Sequence, residues 1–212
     1  MTALLEYAVR KSAPATVVST ARWAARGMRV TVLKLGSLFD GIGVFPLAAV
    51  HCGIEPVWAS EIEARPISIT RRHFPDMLHL GDITKINGAE IPPVDVITFG
   101  SPCQDLSQIG TRNGFAGAKS SLFYQAMRII EEMRYATNGR YPAFTVWENV
   151  AGAFSSNDRL DFAAMLRAFT GAEVSVPPRG WAHAGMVRGG RADTAWRLLD
   201  AQYWGEPALA QR

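Results

Sequence analysis

Short runs of β-branched and aromatic residues alternate along this chain with longer stretches whose apolar positions recur at helical spacing. Residues 30–38 read as a first strand, 56–60 as a second, 77–80 as a short third, 94–99 as a fourth and 143–147 as a fifth. Helices are predicted over 64–74, over 122–137 and over 158–169, with one more after the turn at residues 39–47. The second of these has the clearest stripe, Leu122, Ala126, Ile129, Ile130 and Met133, and Ser120-Ser121 stands ready as its cap. Residues 171–190, rich in Gly and Pro, read as irregular, and 194–203 as extended. Strands alternating with helices predict an α/β fold with a doubly wound, mostly parallel, Rossmann-like sheet.

Composition narrows this picture. At 212 residues the chain can build one substantial core, and 48% hydrophobic against 19% charged residues is a globular balance. With 22 basic and 19 acidic side chains the net charge is +3, which permits nucleic-acid binding without requiring it. No apolar run is long enough to cross a bilayer. Two cysteines make no disulfide framework, and His51-Cys52 has no second ligand pair at zinc spacing, so no metal is expected. Cys52 reads as a small buried apolar residue. Residues 1–27 are rich in Ala, carry Arg10, Lys11, Arg22 and Arg26 with Glu6 as their one acid, and precede a natural start at Met28. They read as a poorly ordered extension without a role in the fold, with a helical turn over residues 4–9, rather than as a transit peptide. Residues 28–212 are then the working domain.

Candidate chemistry gathers at the ends of the predicted strands, the edge where open α/β sheets bind ligands. Gly41 and Gly43 stand between the first strand and its helix, where a tight turn lets backbone approach a ligand. Glu61 ends the second strand about 20 residues later, the usual position of a partner for ribose hydroxyls. Asp82, after the third strand, is either a turn residue or an acceptor for an adenine amino group. Cys103 follows the fourth strand in Gly100-Ser101-Pro102-Cys103-Gln104, and the long loop to Lys119 carries Arg112 and three glycines. Glu148 ends the fifth strand. A carboxylate there is costly to bury unless it pairs with an Arg or does chemistry, and it would share an edge with Cys103.

In this order the motifs resemble those of the DNA (cytosine-5) methyltransferases of bacteria and their phages. Phe39-Asp40-Gly41-Ile42-Gly43 resembles the first cofactor motif, Gly81-Asp82-Ile83 the adenine segment, Gly100-Ser101-Pro102-Cys103-Gln104 the nucleophile motif, and Glu148-Asn149-Val150 the family's Glu-Asn-Val. Ser121-Leu122-Phe123 follows the nucleophile as in the family, and residues 200–205 resemble the lead-in to its arginine motif. The resemblance implies a methyltransferase-type fold, S-adenosylmethionine as cofactor, double-stranded DNA as substrate and a cytoplasmic, restriction-modification setting. It implies catalytic roles for Cys103, Glu148 and Arg212. Cofactor contacts are implied for Phe39, Gly41, Ile42, Gly43, Glu61, Ile62, Asp82, Ile83, Pro102 and Leu122.

Three departures stand against the family pattern. Val44 replaces a third glycine and is strained if that position needs positive φ. Ala208, Ala210 and Arg212 occupy an eroded Gln-x-Arg-x-Arg motif. The sequence stops before the family's next strand and target-recognition domain, so the fold is expected to be incomplete at its C-terminus. The last strand then lacks its neighbour, and residues beyond about 170 should be least stable. A catalytically impaired remnant, half of a split enzyme served by a second chain, and an RNA substrate are the competing readings.

Overall fold

The computed structural model describes residues 2–9, 31–101 and 122–200. Its strands form one sheet in the order β4-β3-β2-β5-β6-β1-β8-β7. The parallel part comprises β2 (Lys34–Leu38), β3 (Glu55–Ser60), β4 (Leu78–His79), β5 (Val96–Phe99) and β6 (Phe144–Val150). Between them run α1 (Val44–His51), α2 (Ala64–His73) and α3 (Leu122–Ala136), and α4 (Leu160–Thr170) follows β6. This is the α/β fold with a mostly parallel sheet that the pattern predicts.

All four residues of β5 are buried, as a central parallel strand covered on both faces requires. On one face Phe99, Phe123, Trp147 and Phe169 meet edge-on or tilted, with centroids 5.6–6.3 Å apart where they pair, and so clamp α3 and α4 to β5 and β6. Gly36 is required beneath Trp58: a Cβ there would lie 2.1 Å from the indole ring. The predicted stripe of α3 is buried at Ala126, Ile129, Ile130 and Met133. Arg71 and Arg72 of α2 lie on its solvated side.

The other half of the sheet departs from expectation. Thr2–Val9 is a strand, β1, and not a helical turn in an extension outside the fold. It runs antiparallel to β6, from Ala3↔Val150 to Val9↔Phe144, and antiparallel to β8 (Asp193–Asp200), from Thr2↔Asp200 to Val9↔Asp193. The gap expected beside the last strand is therefore filled, and β8 is paired on both sides. Its other neighbour is β7 (Ala184–Arg188), a strand inside the stretch read as irregular. Ladder bonds to β8 form it there despite its glycine: Gly185 is needed because a Cβ would strike Trp196, 2.2 Å away. Cys52 is also corrected. It caps the C-terminus of α1 on the solvent side and is exposed.

Candidate active site

The site is built at the C-terminal edge of the parallel strands. After β2 the chain turns sharply through Phe39 (φ 54°), Gly41 (φ 57°) and Gly43 (φ 86°) before entering α1. Gly43 has no substitute: its φ is left-handed, and a Cβ would lie 2.9 Å from Thr70 of α2. Phe39 holds a left-handed conformation that costs a non-glycine residue about 1–3 kcal/mol, strain of the kind that collects at ligand sites. Val44 has no positive φ and is the first residue of α1, so the strain expected from its replacing a glycine does not arise.

Glu61, just past β3, organises this turn. Its Oε2 accepts from Gly41 N at 2.8 Å, and its Oε1 accepts from Ile62 N at 2.7 Å and Glu63 N at 3.0 Å. One carboxylate thus joins the glycine turn to the start of α2. Asp82 caps the short 3-10 turn Ile83–Lys85, accepting from Thr84 N at 2.9 Å and from its hydroxyl at 2.8 Å. The Thr84 N–H holds the Asp82 carboxyl below its ordinary pKa. This turn residue also lines the cavity next to Glu61.

That cavity, about 360 Å³, is lined by Phe39, Ser60, Glu61, Ile62, Glu63, Asp82, Ile83, Gly100 and Leu122. Six of the residues singled out from sequence meet here: Phe39, Glu61, Ile62, Asp82, Ile83 and Leu122. Gly41 and Gly43 shape the turn behind them, and Ile42 is 56% exposed beside it. Pro102, Cys103 and Arg212 lie outside the described residues, as do the Ser120-Ser121 cap, Ala208 and Ala210. Sequence reasoning missed Ser60, Glu63 and Gly100 as lining residues. It also missed Arg128 of α3, which donates to the Ile83 and Ile86 carbonyls at 3.1 and 2.8 Å and so fixes the Asp82 turn from behind. The i,i+4 pair Arg128–Glu132 was the available signal, and at 2.8 Å it is formed.

Glu148 closes the arrangement. Its Oε2 lies 3.1 Å from where a Cβ on Gly100 would be, at the root of the loop that holds Cys103. Next to it, Trp147 Nε1 donates to the buried Ser101 hydroxyl at 3.0 Å, tying the end of β6 to the same root. Burial pushes the Glu148 pKa up, and among the described residues no cation pairs with it. The alternative of an Arg-paired structural Glu has no support there. Beneath the glycine turn, Asp40 is 5% exposed and neither oxygen finds a hydrogen bond among the described residues. Its pKa rises to about 6, chiefly through burial; the nearby Ser37 hydroxyl opposes this, and the Glu61 charge adds to it.

Among the described residues no cluster of three His, Cys, Asp or Glu side chains is placed to hold a metal ion, and no helix is long and apolar enough to cross a membrane.

Comparison with known proteins agrees with the motif order. Type II methyltransferase M.HhaI of Haemophilus parahaemolyticus is 33% identical over 130 residues, 61% of this chain and 37% of that protein. Type II methyltransferase M.BsuFI of Bacillus subtilis is 31% identical over 187 residues, 88% of this chain and 39% of its own length. A protein of Escherichia phage P1 named DNA N-6-adenine-methyltransferase is 30% identical over 210 residues, 85% of this chain but 27% of its own. The chain thus spans well under half the length of these relatives. A solved prophage-encoded DNA modification methyltransferase (E. coli) shares the fold, with a TM-score of 0.50 and 19% identity over 83% of this chain and 49% of that one. Residues 33–206 match the family described as C-5 cytosine-specific DNA methylase, and this chain belongs to that family.

Proposed function

We propose that this chain transfers a methyl group from S-adenosylmethionine to C5 of cytosine in double-stranded DNA, through a covalent bond from Cys103 to the ring. One observation carries the reading. Gly100 lines the cavity of Glu61 and Asp82, and a Cβ built on it would lie 3.1 Å from the Glu148 carboxylate. A methyl donor held in the one and a base held by the other would share a wall.

The cavity suits the cofactor. Glu61 and Asp82 offer acceptors for ribose hydroxyls and an adenine amine, while Phe39, Ile62, Ile83 and Leu122 offer apolar faces to a flat ring. When bound, S-adenosylmethionine supplies an electrophilic methyl group. The residues of this chain supply the rest. Cytosine C5 is a poor nucleophile, so the Cys103 thiolate adds to C6 and the displaced electron pair makes C5 enamine-like. Glu148, whose pKa burial raises, donates to N3 and offsets the charge that develops on the ring. Once C5 carries the methyl group, a base takes the C5 proton, its electron pair re-forms the C5–C6 double bond as the C6–S bond breaks and frees the thiolate, and N3 returns its proton to Glu148. A target base in duplex DNA has to leave the stack first, at about a few kcal/mol.

The name of the phage P1 relative raises adenine N6 as a rival target. An exocyclic amine attacks a methyl donor directly and needs no thiol, so the Cys103 motif favours C5. Transfer of a labelled methyl group to mixed-sequence DNA, with hydrolysis and separation of the bases, decides between them. Label on 5-methylcytosine that vanishes in Cys103→Ser is the expected result. Label on N6-methyladenine that persists in the variant refutes the cytosine reading. No label from a protein that still binds the cofactor refutes activity in this chain alone.

A further inference from the structure

The described part of β6 is held by β5 only as far as Trp147. The parallel ladder runs Val96↔Phe144, Ile97↔Thr145, Thr98↔Val146 and Phe99↔Trp147, and there it stops. Glu148, Asn149 and Val150 extend past it. Their ladder partners are Leu5, Leu4 and Ala3 of β1. The same three residues of β1 pair on their other side with Arg197, Leu198 and Leu199 of β8. The backbone under the Glu148 carboxylate is therefore fixed by the N-terminal strand, itself buttressed from behind.

From this we propose that residues 3–5 are a positioning element for Glu148: their backbone pairing with residues 148–150 keeps the carboxylate against Gly100. This rests on the reading of Glu148 as the group that holds the base. It assigns to the N-terminal segment, which sequence reasoning placed outside the fold, control over the chemical step.

Physical scale supports this. A strand end paired on neither side frays, because each unpaired residue regains backbone entropy of about 1–2 kcal/mol, and without β1 residues 148–150 are such an end. A displacement of about 1 Å at a catalytic group can cost roughly 100-fold in rate. The cofactor cavity is lined from β2, β3, β5, the Asp82 turn and α3, on the far side of β5 from β1. Loosening β1 should thus move the chemistry and leave cofactor affinity alone.

The test uses the full chain with Leu5→Pro and Leu5→Ala. In a strand paired on both sides every N–H serves one neighbour or the other, so proline removes a ladder bond that alanine keeps. Amide hydrogen exchange is read at residues 3–5, 96–99 and 148–150, together with cofactor Kd and the kcat of methyl transfer. The expected result is that Leu5→Pro exposes 148–150 to exchange and lowers kcat about 100-fold, with 96–99 still protected and Kd unchanged; Leu5→Ala keeps both protection and kcat. Unprotected amides at 3–5 in the unaltered chain overturn the proposal without any variant. So does protection of 148–150 that survives Leu5→Pro, or loss of 96–99 protection and cofactor binding with it, which makes β1 a general folding element. The exchange results stand even if the unaltered chain transfers no methyl group, so a failure of the functional reading is seen separately.

Discussion

The two halves of the sheet are built in opposite ways. From β4 to β5 the strands are parallel and joined by compact local connections, and the two carboxylates that line the cavity beside Phe39 are tied to backbone close in space: Glu61 to the glycine turn, Asp82 to Thr84. From β6 to β7 the sheet is assembled from both ends of the described chain, with β1 inserted antiparallel between β6 and β8. The first half shapes the cavity lined by Glu61 and Asp82; Glu148 sits on the seam with the second. The contrast teaches that the cavity and the Glu148 carboxylate depend on different parts of the topology, one local and one closed only when distant segments meet.

Substitutions on either side of the seam can break that comparison. The largest effect is expected from Glu148→Gln, which keeps the shape but removes the ionisable proton: kcat should fall about 10²–10⁴-fold while cofactor Kd holds. Weakened cofactor binding of similar size, measured by calorimetry, would mean that the seam does not separate the functions. In the parallel half, Asp40→Asn should stabilise the fold with a defined pH dependence. The folded carboxyl titrates near 6, above its ordinary 3.8, so the native state holds a proton that the unfolded chain has lost, and stability falls as pH rises through that window. The gain for Asn, up to about 3 kcal/mol above pH 6, should disappear below about pH 4 in thermal melts. A constant difference at every pH would assign the effect to packing instead. Gly43→Ala should cost about 1–3 kcal/mol and weaken cofactor binding, since it adds both a left-handed alanine and a contact with Thr70. Exchange at residues 196–199 should stay slow in that variant, because β8 is held by β1 and β7. Smallest is Arg128→Ala, about 1–3 kcal/mol through the Ile83 and Ile86 carbonyls it leaves unpartnered, read as a modest rise in cofactor Kd.

How legible the site was follows the same division. Glu61, Asp82, Phe39 and Leu122 could be placed from sequence because each ends or begins an element whose own pattern is plain, and parallel strands bring such positions to one edge. The roles of Arg128 and Trp147 were not placed, since each reaches across the fold to the Ile83 and Ile86 carbonyls or the Ser101 hydroxyl, a pairing that no spacing in the sequence records. Gly185 suggested a loop and proved to be the space for Trp196.

The sequence by itself determined the alternating α/β plan, the edge at which the chemistry gathers and the family to which the chain belongs, because periodicity and ordered motifs are local properties. Only the tertiary structure decided that Val44 is unstrained, that Cys52 is exposed and that Thr2–Val9 is a strand beside Glu148. Those outcomes depend on which backbone groups meet across the sheet. An eight-residue segment acquires strand structure from the ladders offered on its two sides and carries little evidence of them in its own residues.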